Sequence, residues 1–293
     1  MSSRARCKPG PFFHAFLLPR CSVPPCCSRA RIGTRFVVMP AGSGRYRIVY
    51  FGPSLGTGVS DGHLVSVNAV AKTNVPSAPY CVANELMCGE LGRFLGLPVP
   101  PGGVVYAPDG KLFYASLSFN LTGNTLPPVN TTRCVKELPE MSAGVLLFDV
   151  LVANPDRHGR NFSVDFSSRP PMMNVFDHGH ALLGKDAGKG TSRLEKLRDR
   201  LGVSGGSRTA GNRHSLLDQI GSDAHFGHWL ERIRKVPSFF IDELCGEVVG
   251  LGCTDTEARA AAAFLKYRCQ QLDSIVGANR AEFTGIRSWR LFR

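Results

Sequence analysis

The chain has 293 residues, 43% of them hydrophobic and 20% charged, which is the balance of a soluble globular protein. No apolar run approaches the ~18 residues that a membrane-spanning helix needs, so we expect no membrane association. The formal net charge is +12, but more than half of it comes from residues 1–39. These residues lack the interleaved basic and aromatic side chains of a folded nucleic-acid-binding domain, so a nucleic-acid partner is not expected.

Residues 1–39 are rich in arginine and proline and show no clear periodicity. We predict a basic, disordered extension, with a targeting segment as the alternative because arginines are frequent and acidic residues absent. Ten cysteines spread over the chain do not form a disulfide framework, so we predict free, mostly buried thiols and a reducing, cytoplasmic location.

The first ordered segment is predicted to be a hairpin with a glycine-rich turn. Arg45–Phe51 and Leu64–Lys72 are rich in β-branched and aromatic residues, which is typical of strands, and Gly52–Gly62 between them holds four glycines. Glycines let backbone N–H groups approach phosphate oxygens without interference from side chains. The alternative is an ordinary flexible loop. If the turn binds phosphate, the best candidates are Ser54, Gly56 and Gly58.

A helix is predicted over Val82–Gly96, ended by a glycine and then prolines. Its hydrophobic spacing predicts a core stripe of Met87, Leu91, Phe94 and Leu95. Glu85 lies on another face with small neighbours, which permits close approach to the sheet. Glu85 could therefore reach Lys72 at the end of the preceding strand, or either side chain could simply be solvated.

Two further strands, Val104–Ala107 and Lys111–Phe119, are joined by a Pro-Asp-Gly turn. With the hairpin and helix they complete a predicted sheet-rich domain over residues 40–130. The polar stretch Asn120–Asn130 is predicted to connect it to a helical domain over residues 131–293.

The most informative stretch is Asn154–His180, which follows an apolar segment predicted to be the end of a helix over Pro139–Ala153. Asp156 stands five residues before Asn161, a predicted hairpin of Phe162–Phe166 and Met172–Phe176 follows, and Asp177 with Gly179 ends it. Asp156, Asn161 and Asp177 are therefore expected to lie close together, in the loops at one end of this hairpin. Mg²⁺ takes oxygen ligands and usually only one or two from protein, which Asn161 and Asp177 can supply. Asp156 would accept the proton of an attacking hydroxyl.

The D-x-x-x-x-N spacing followed by D-x-G occurs in protein kinases, and the segment FDVLVANPDRHGRNF…NVFDHGHAL resembles the catalytic segment of HipA-like kinases, with a more distant similarity to phosphoinositide kinases. The resemblance implies ATP, Mg²⁺, a two-lobed fold and phosphorylation of a protein serine. By residue it makes Asp156 the catalytic base and Asn161 and Asp177 the Mg²⁺ ligands. Lys72 ends AVAK much as the ATP-contacting lysine ends V-A-I-K, and Asn84–Glu85 matches the family's N-E pair.

His158 lies two residues past the presumed base. It could orient Asp156, contact phosphate, or hydrogen-bond to the loop backbone, and we favour the last. Arg157 and Arg160 could bind phosphate or pair with acidic groups, and the sequence does not distinguish these alternatives.

Beyond Leu183 the chain is predicted to be mainly helical, with a helix over Trp229–Val236 and a long one over Asp255–Val276. Ser192 with Glu195, and Thr254 with Glu257, are predicted capping boxes at helix starts. Gly202–Asn212 is glycine-rich and predicted to be mobile.

We therefore predict an α+β, two-lobed protein-kinase-like fold with a small sheet-rich N-lobe and a larger helical C-lobe. The predicted activity is ATP- and Mg²⁺-dependent transfer of the γ-phosphoryl group to a hydroxyl, with a protein serine or threonine as substrate. One alternative is a metal-dependent phosphohydrolase, whose transition-metal site would use Asp156, His158, Asp177, His178 and His180. The other is a catalytically inactive nucleotide-binding module. The sequence indicates neither the substrate protein nor the oligomeric state.

Overall fold

The computed structural model describes residues 46–56, 60, 62–120, 126–203 and 213–292. Within the compact unit Met39–Arg293, these ranges hold seven β-strands in three small antiparallel sheets and seven α-helices. The predicted α+β class is confirmed. The predicted extension, residues 1–39, and nearly all of the predicted mobile segment lie outside the described residues.

The first sheet is a hairpin of β1 (Ile48–Ser54) and β2 (His63–Val67), paired antiparallel with Ile48 opposite Val67. The single strand predicted over Leu64–Lys72 is wrong, because the structure divides it at Asn68. There the chain leaves β1 and pairs with a different partner, since the backbone N–H of Ser118 donates to the carbonyl of Asn68 at 2.9 Å.

The second sheet has the strand order β3 (Ala69–Lys72), β5 (Leu112–Leu117), β4 (Gly102–Tyr106). The turn between β4 and β5 is the predicted one: Gly110 has φ +81°, a conformation that glycine adopts readily, and Asp109 accepts a hydrogen bond from the N–H of Lys111 at 2.9 Å. The β3–β5 register places Lys72 opposite Tyr114. Lys72 is thereby fixed at the end of a paired strand.

Helix α1 (Cys81–Phe94) packs against β4 and β5 through small residues. A Cβ on Gly89 would lie 2.7 Å from the hydroxyl of Tyr114, and one on Gly92 would lie 2.8 Å from a methyl of Val99, so only glycine permits this approach. The predicted core stripe is wrong at Phe94, which is 47% exposed and stacks on Phe240 with ring centroids 4.5 Å apart. The other three predicted members of the stripe are buried: Met87, Leu91 and Leu95.

Helix α2 (Thr131–Glu137), which the sequence analysis did not predict, is capped by the Asn130 side chain, and α3 (Pro139–Leu151) follows it. Every residue of α3 from Ser142 onward is buried, as expected of a helix at the centre of a core. The boundary between lobes predicted near residue 130 falls between β5 and α2, and the division into lobes stays a prediction.

The third sheet is the predicted hairpin, formed by β6 (Phe162–Asp165) and β7 (Met172–Val175). Phe162 pairs with Val175, so the residue before β6 and the residue after β7 lie at the same end of the hairpin. Asn161 and Asp177 therefore lie at one end of the hairpin.

The remaining helices are α4 (Gly190–Leu197), α5 (Phe226–Arg234), α6 (Ser238–Gly246) and α7 (Asp255–Ala278), followed by a 3-10 turn at Arg280–Glu282. Helices α5 and α7 pack against α3, and α4 and α6 pack against α7. The Thr254–Glu257 capping box is confirmed, since both reciprocal hydrogen bonds are present. The Ser192 box is wrong, because α4 already begins at Gly190 and Ser192 lies in its first turn. None of the described helices combines the length and apolar character needed to cross a bilayer.

Candidate active site

Lys72 is held between two carboxylates that come from distant parts of the chain. Its Nζ atom donates to Glu85 Oε1 at 2.6 Å and to Asp177 Oδ1 at 2.7 Å. Lys72 ends β3, Glu85 lies on α1, and Asp177 follows β7, so strand, helix and hairpin each contribute one charge. The predicted approach of Glu85 to Lys72 is therefore present, and the solvated alternative is excluded by the 4% exposure of Glu85.

The charges in this cluster shift each other's pKa. Burial alone would raise the pKa of Glu85, but the hydrogen bond with His178 and the charge of Lys72 outweigh it and lower that pKa to about 2. Burial alone would lower the pKa of Lys72, but the carboxylates of Glu85 and Asp177 outweigh it and raise that pKa. Lys72 and Glu85 therefore each favour the charged form of the other.

His178, directly after Asp177, fixes Glu85 from the other side. Its backbone N–H donates to Glu85 Oε1 at 3.1 Å, and its Nδ1 lies 3.7 Å from Glu85 Oε2. The ring is buried with its edge against Phe148. On the same helix, the Asn84 side chain donates to the carbonyl of Gly179 at 2.8 Å. The D-x-G segment is thus attached to the start of α1 at consecutive residues.

Asp156 and Asn161 are brought together in the loop after α3. Asn161 Nδ2 donates to the backbone carbonyl of Asp156 at 2.7 Å and lies 3.4 Å from Asp156 Oδ2. The Asp156 side chain is 42% exposed and so remains accessible to a reacting group. His158 Nε2 is 3.9 Å from Asp156 Oδ1, too long for a hydrogen bond, while its Nδ1 accepts the N–H of Arg160 at 3.2 Å. This is the backbone contact that the sequence analysis favoured for His158.

The two candidate metal ligands, Asn161 and Asp177, lie at the same end of the β6–β7 hairpin. Asn161 immediately precedes β6, its carbonyl accepts the N–H of Phe176 at 3.3 Å, and Asp177 is the next residue. Asp177 has φ +65°, so the chain turns sharply there. Because the Asn161 amide nitrogen is engaged by Asp156, its oxygen is the atom left for a cation, and Asp177 retains a second carboxylate oxygen. An amide and a carboxylate oxygen fit the preference of Mg²⁺ for oxygen ligands.

A cleft of about 400 Å³, which we call the sheet–hairpin cleft, lies beside this cluster. Its polar wall contains Lys72, Glu85, Asp177 and His178, with Arg160 nearby. The rest is mainly apolar and comes from both the second sheet and the hairpin, and it includes Val70, Val99, Leu117, Phe119, Leu126 and Phe176. A mostly apolar cavity with a few convergent polar groups is typical of a small-molecule site.

Not every predicted site residue lies in that wall. Of the acid–amide–acid set, Asp177 lines the sheet–hairpin cleft, whereas Asp156 and Asn161 are next to it through Arg160 and do not line it. Ser54 and Gly56 lie at the end of β1, where Gly56 N–H donates to Ser54 Oγ at 3.2 Å, and no described residue of that hairpin lines the cleft. Gly58 lies outside the described residues. The phosphate-binding role of this turn stays a prediction.

A transition-metal site built from aspartates and histidines does not form. Among the described residues, no three His, Cys, Asp or Glu side chains gather closely enough to hold a metal ion. His178 is instead buried against Glu85, and His158 is engaged by its own loop. The hydrolase alternative needs such a cluster, whereas a Mg²⁺ site with one or two protein ligands does not.

The structure adds a buried group that the sequence analysis did not identify. The carboxylate of Asp149 on α3 accepts hydrogen bonds from Arg157 Nε at 2.7 Å and from Asn154 Nδ2 at 2.9 Å. It also forms a hydrogen bond with His214 Nε2 at 2.9 Å. Burial alone would raise the pKa of Asp149, but Arg157 and His214 outweigh it and lower that pKa. The sequence did contain a signal for this group: Asp149 is a charged residue within the apolar run of α3, and a buried charge needs a partner. Nothing in the sequence marked His214.

Arg157 in this group connects the loop after α3 to the β6–β7 hairpin. Its guanidinium donates to the backbone carbonyl of Asn161, itself a candidate metal ligand, and to that of Phe176, the residue before Asp177. The question left open for Arg157 is thereby answered: it pairs with an acidic group in the interior and is not available to bind phosphate.

No family model matches the chain, and no curated protein sequence matches it. The chain is similar in structure to the Helicobacter pylori proinflammatory kinase CtkA, with 12% identity and a TM-score of 0.49 over 77% of this chain and 94% of that one. It is also similar to a chain of the Shewanella oneidensis MR-1 HipA–HipB toxin–antitoxin complex with operator DNA, with 15% identity and a TM-score of 0.40. That match covers 78% of this chain and 62% of the other. At such identities the likeness concerns the fold.

Proposed function

We propose that this chain is an ATP- and Mg²⁺-dependent kinase that transfers the γ-phosphoryl group to a serine or threonine hydroxyl of a protein. The observation that carries the proposal is the three-residue contact of Lys72 with Glu85 and Asp177 at the wall of the sheet–hairpin cleft. A kinase requires a strand lysine paired to a helix glutamate, and a D-x-G aspartate beside them.

Each residue has a task that follows from its position. Lys72, kept charged by Glu85, would attract the phosphates, and its third N–H remains for an oxygen of the nucleotide. The apolar wall of the sheet–hairpin cleft would exclude water from the base and sugar. Asn161 and Asp177 would hold Mg²⁺, which supplies positive charge against the charge that develops on the transferred group.

Asp156 is the proposed catalytic base. Its side chain is accessible, and the contact with Asn161 positions it beside the candidate metal ligands. Accepting the proton of the substrate hydroxyl increases the nucleophilicity of that oxygen as it attacks the phosphorus. The remainder of the rate enhancement comes from positioning and charge compensation.

A reducing, cytoplasmic location is proposed with this function. In the described part of the chain, six cysteines are buried with free thiols: Cys81, Cys88, Cys134, Cys245, Cys253 and Cys269. Free, buried thiols are typical of proteins that work in a reducing compartment.

The test is transfer of label from γ-labelled ATP in the presence of Mg²⁺, with the full chain alone and with cell extract. Wild type is expected to label itself or a protein of the extract, and Asp177→Asn is expected to abolish labelling because it removes a metal ligand and a partner of Lys72. Asp242→Asn, in an exposed ion pair with Lys266, is the control and should label like wild type.

Two results would contradict the kinase assignment. Thermal stabilisation by Mg·ATP without any phosphate transfer would favour the inactive nucleotide-binding module. Tightly bound Zn, Mn or Fe without nucleotide affinity would favour the hydrolase.

A further inference from the structure

A second cleft, of about 430 Å³, lies on the other side of the catalytic loop. We call it the basic cleft, defined by Lys189, Arg193, Lys196 and Arg200, which line it. Their spacing of four, three and four residues places them on one face of α4 and its flanking residues. Pro155, the residue before the proposed base Asp156, also lines the basic cleft, so this surface adjoins the catalytic loop directly.

The basic cleft contains almost no compensating negative charge. Lys189, Lys196 and Arg200 are exposed, and among the described residues none of them has an ion-pair partner. Asp186 is the one acidic residue in the described lining. Exposed basic residues on α4 would by themselves be an ordinary solvated surface, so the groups beneath them decide the argument.

Two arginines at the basic cleft have no ion-pair partner among the described residues: Arg193, which is partly buried and lines it, and Arg268, which is buried and bonds to the carbonyl of the lining residue Leu197. Arg193 donates to the backbone carbonyls of Leu182 and, at 2.8 Å, of Ala153, and burial lowers its pKa to about 10. Arg268 on α7 is fully buried and donates to carbonyls that include Leu197 O at 2.7 Å. Burial, together with the smaller effect of the Arg193 charge, outweighs the opposing charge of Asp199 and lowers the pKa of Arg268 to about 9.

Desolvated cations without a directly paired carboxylate are costly, and an anion placed in the basic cleft would relieve that cost. These two arginines and the exposed basic residues therefore act in the same direction. The site is built for an anion, and its position next to Pro155 decides which molecule carries that anion.

We propose that the basic cleft binds an acidic segment of the protein substrate and so selects serines or threonines with glutamate or aspartate a few residues away. This assignment rests on the proposed function, because the occupant is the phosphoacceptor. An extended peptide advances by roughly 3.3 Å per residue, so a flanking acidic side chain can lie in the basic cleft while the hydroxyl is at Asp156.

Other anionic macromolecules fit this surface less well. The described lining of the basic cleft has no aromatic side chain, whereas single-stranded nucleic acid is usually held by base stacking on aromatic residues. Its apolar residues, Leu183 and Leu197, do not form the stripe that an interfacial helix inserts into lipid. An acidic peptide needs only charge complementarity and a groove.

The experiment measures binding of fluorescent peptides to the full chain without nucleotide. The peptides share one serine and differ only in whether glutamate, glutamine or lysine flanks it. We expect the glutamate peptide to bind at least about tenfold more tightly than the glutamine peptide, and Lys189→Glu/Lys196→Glu to lose that preference, because like charges facing each other oppose association. Higher salt should weaken binding of the glutamate peptide, since the Debye length falls to about 3 Å at 1 M.

The matched control is Lys111→Glu/Lys136→Glu, which changes two exposed lysines that do not line the basic cleft. Because its net charge equals that of the cleft variant, a general attraction between a basic protein and an acidic peptide would be reduced equally in both. Equal losses of glutamate-peptide binding in the two variants would overturn the proposal. Binding of an oligonucleotide and of anionic vesicles is measured in parallel. The proposal would also fail if the cleft variant lost binding to either of these while its binding of the glutamate peptide was unchanged. Melting temperatures of all three proteins check that the folds are intact.

Phosphate transfer to the same peptides separates this inference from the kinase assignment. Labelling that is independent of peptide charge would refute the acidic-substrate site and leave the kinase function standing. Cleft-dependent binding of the glutamate peptide with no transfer to any peptide would support the site and refute the kinase function.

Discussion

At the scale of single residues, the site is governed by the sharing of one cation between two anions. Lys72 forms ion pairs with Glu85, which is buried, and with Asp177, which is partly exposed. Glu85 accepts hydrogen bonds from both Lys72 and the His178 backbone, so it is fixed in place. Asp177 is the partner that can turn toward a cation, because its side chain is 39% exposed whereas that of Glu85 is 5% exposed.

The proposed base is tested by Asp156→Asn. The Asn161 side chain hydrogen-bonds to the backbone of residue 156 at 2.7 Å, so the loop should keep its shape in the variant. We expect kcat to fall about a thousandfold, roughly 4 kcal/mol of transition-state stabilisation, with little change in KM for ATP. Single-turnover transfer from labelled ATP measures it. Turnover within a few-fold of wild type would rule out the role assigned to Asp156.

The ion pair of Glu85 predicts a particular pH dependence of stability. The folded-state pKa of Glu85 is about 2, below its ordinary value of 4.5, so the ionised side chain stabilises the fold above about pH 4.5 and loses this effect as the pH falls toward 2. The free energy of unfolding of wild type should exceed that of Glu85→Gln by roughly 3 kcal/mol near neutral pH, and the difference should shrink below about pH 4.5.

Urea unfolding at a series of pH values measures this difference. Glu90→Gln on the same helix is the control, because Glu90 pairs with Arg93 at the surface and such pairs contribute little. A wild-type advantage over Glu85→Gln that stays constant down to pH 3 would contradict the assignment.

At the scale of elements, α3 positions the loop that carries the proposed base Asp156 from within the core. Asp149 on α3 binds Arg157 in the loop, and Arg157 donates to the carbonyls of Asn161 and Phe176. His214, from a segment far along the chain, binds Asp149 as well. Ser215 N–H also donates to the carbonyl of Arg157 at 2.9 Å. The loop is therefore held by a fully buried network, which makes its geometry depend on the packing of the helical part of the chain.

Removing Asp149 should be far more damaging than removing a surface acid. Asp149→Ala leaves the charge of Arg157 buried without a partner, which costs about 3–5 kcal/mol in the free energy of unfolding. Asp242→Ala breaks an exposed pair with Lys266 and should cost under about 1 kcal/mol. Denaturant unfolding of both variants compares them directly, and similar small losses would mean that the Asp149 pair is not part of the stable core.

At the scale of the whole molecule, the sheet–hairpin cleft depends on elements that are far apart in sequence. Phe119, past the end of β5, and Phe176, after β7, have ring centroids 5.3 Å apart across it. Helix α1 contributes Glu85 and packs on both the second sheet and α6, so it links the strands to the helical part of the chain. A ligand in the cleft would touch the sheet and the hairpin together.

Ligand binding should therefore stabilise the molecule as a unit. Mg·ATP at a hundred times its Kd is expected to add about 2.7 kcal/mol to the free energy of unfolding and to raise Tm, since it binds the folded state only. Lys72→Ala should lose this shift because it removes the cation at the wall, whereas Lys136→Ala, on exposed α2, should retain it. Thermal unfolding with and without Mg·ATP measures it. An equal rise in both variants would place the nucleotide elsewhere.

The sequence by itself determined the elements whose signals are local. The β6–β7 hairpin, the turn before Lys111, the Thr254 capping box and the small face of α1 follow from alternation, turn residues, caps and glycines that act within a few positions. The same local patterns identified Asp156, Asn161 and Asp177 as one candidate site. The local patterns did not predict the break between strands at Asn68, which depends on the change of partner strand. Nor did they predict that Phe94 is exposed, because its position depends on the neighbouring helix α6.

Only the tertiary structure decided which charges meet. Lys72 and Asp177 are 105 positions apart, and Asp149 and His214 are 65 apart, so no spacing rule connects either pair. A buried charge is tolerated only where a partner compensates it, and the partner is supplied by packing of elements that are distant in the chain. For the same reason the proximity of Arg193 and Arg268 at the basic cleft could not be predicted from the sequence, because it depends on the packing of α4 against α7.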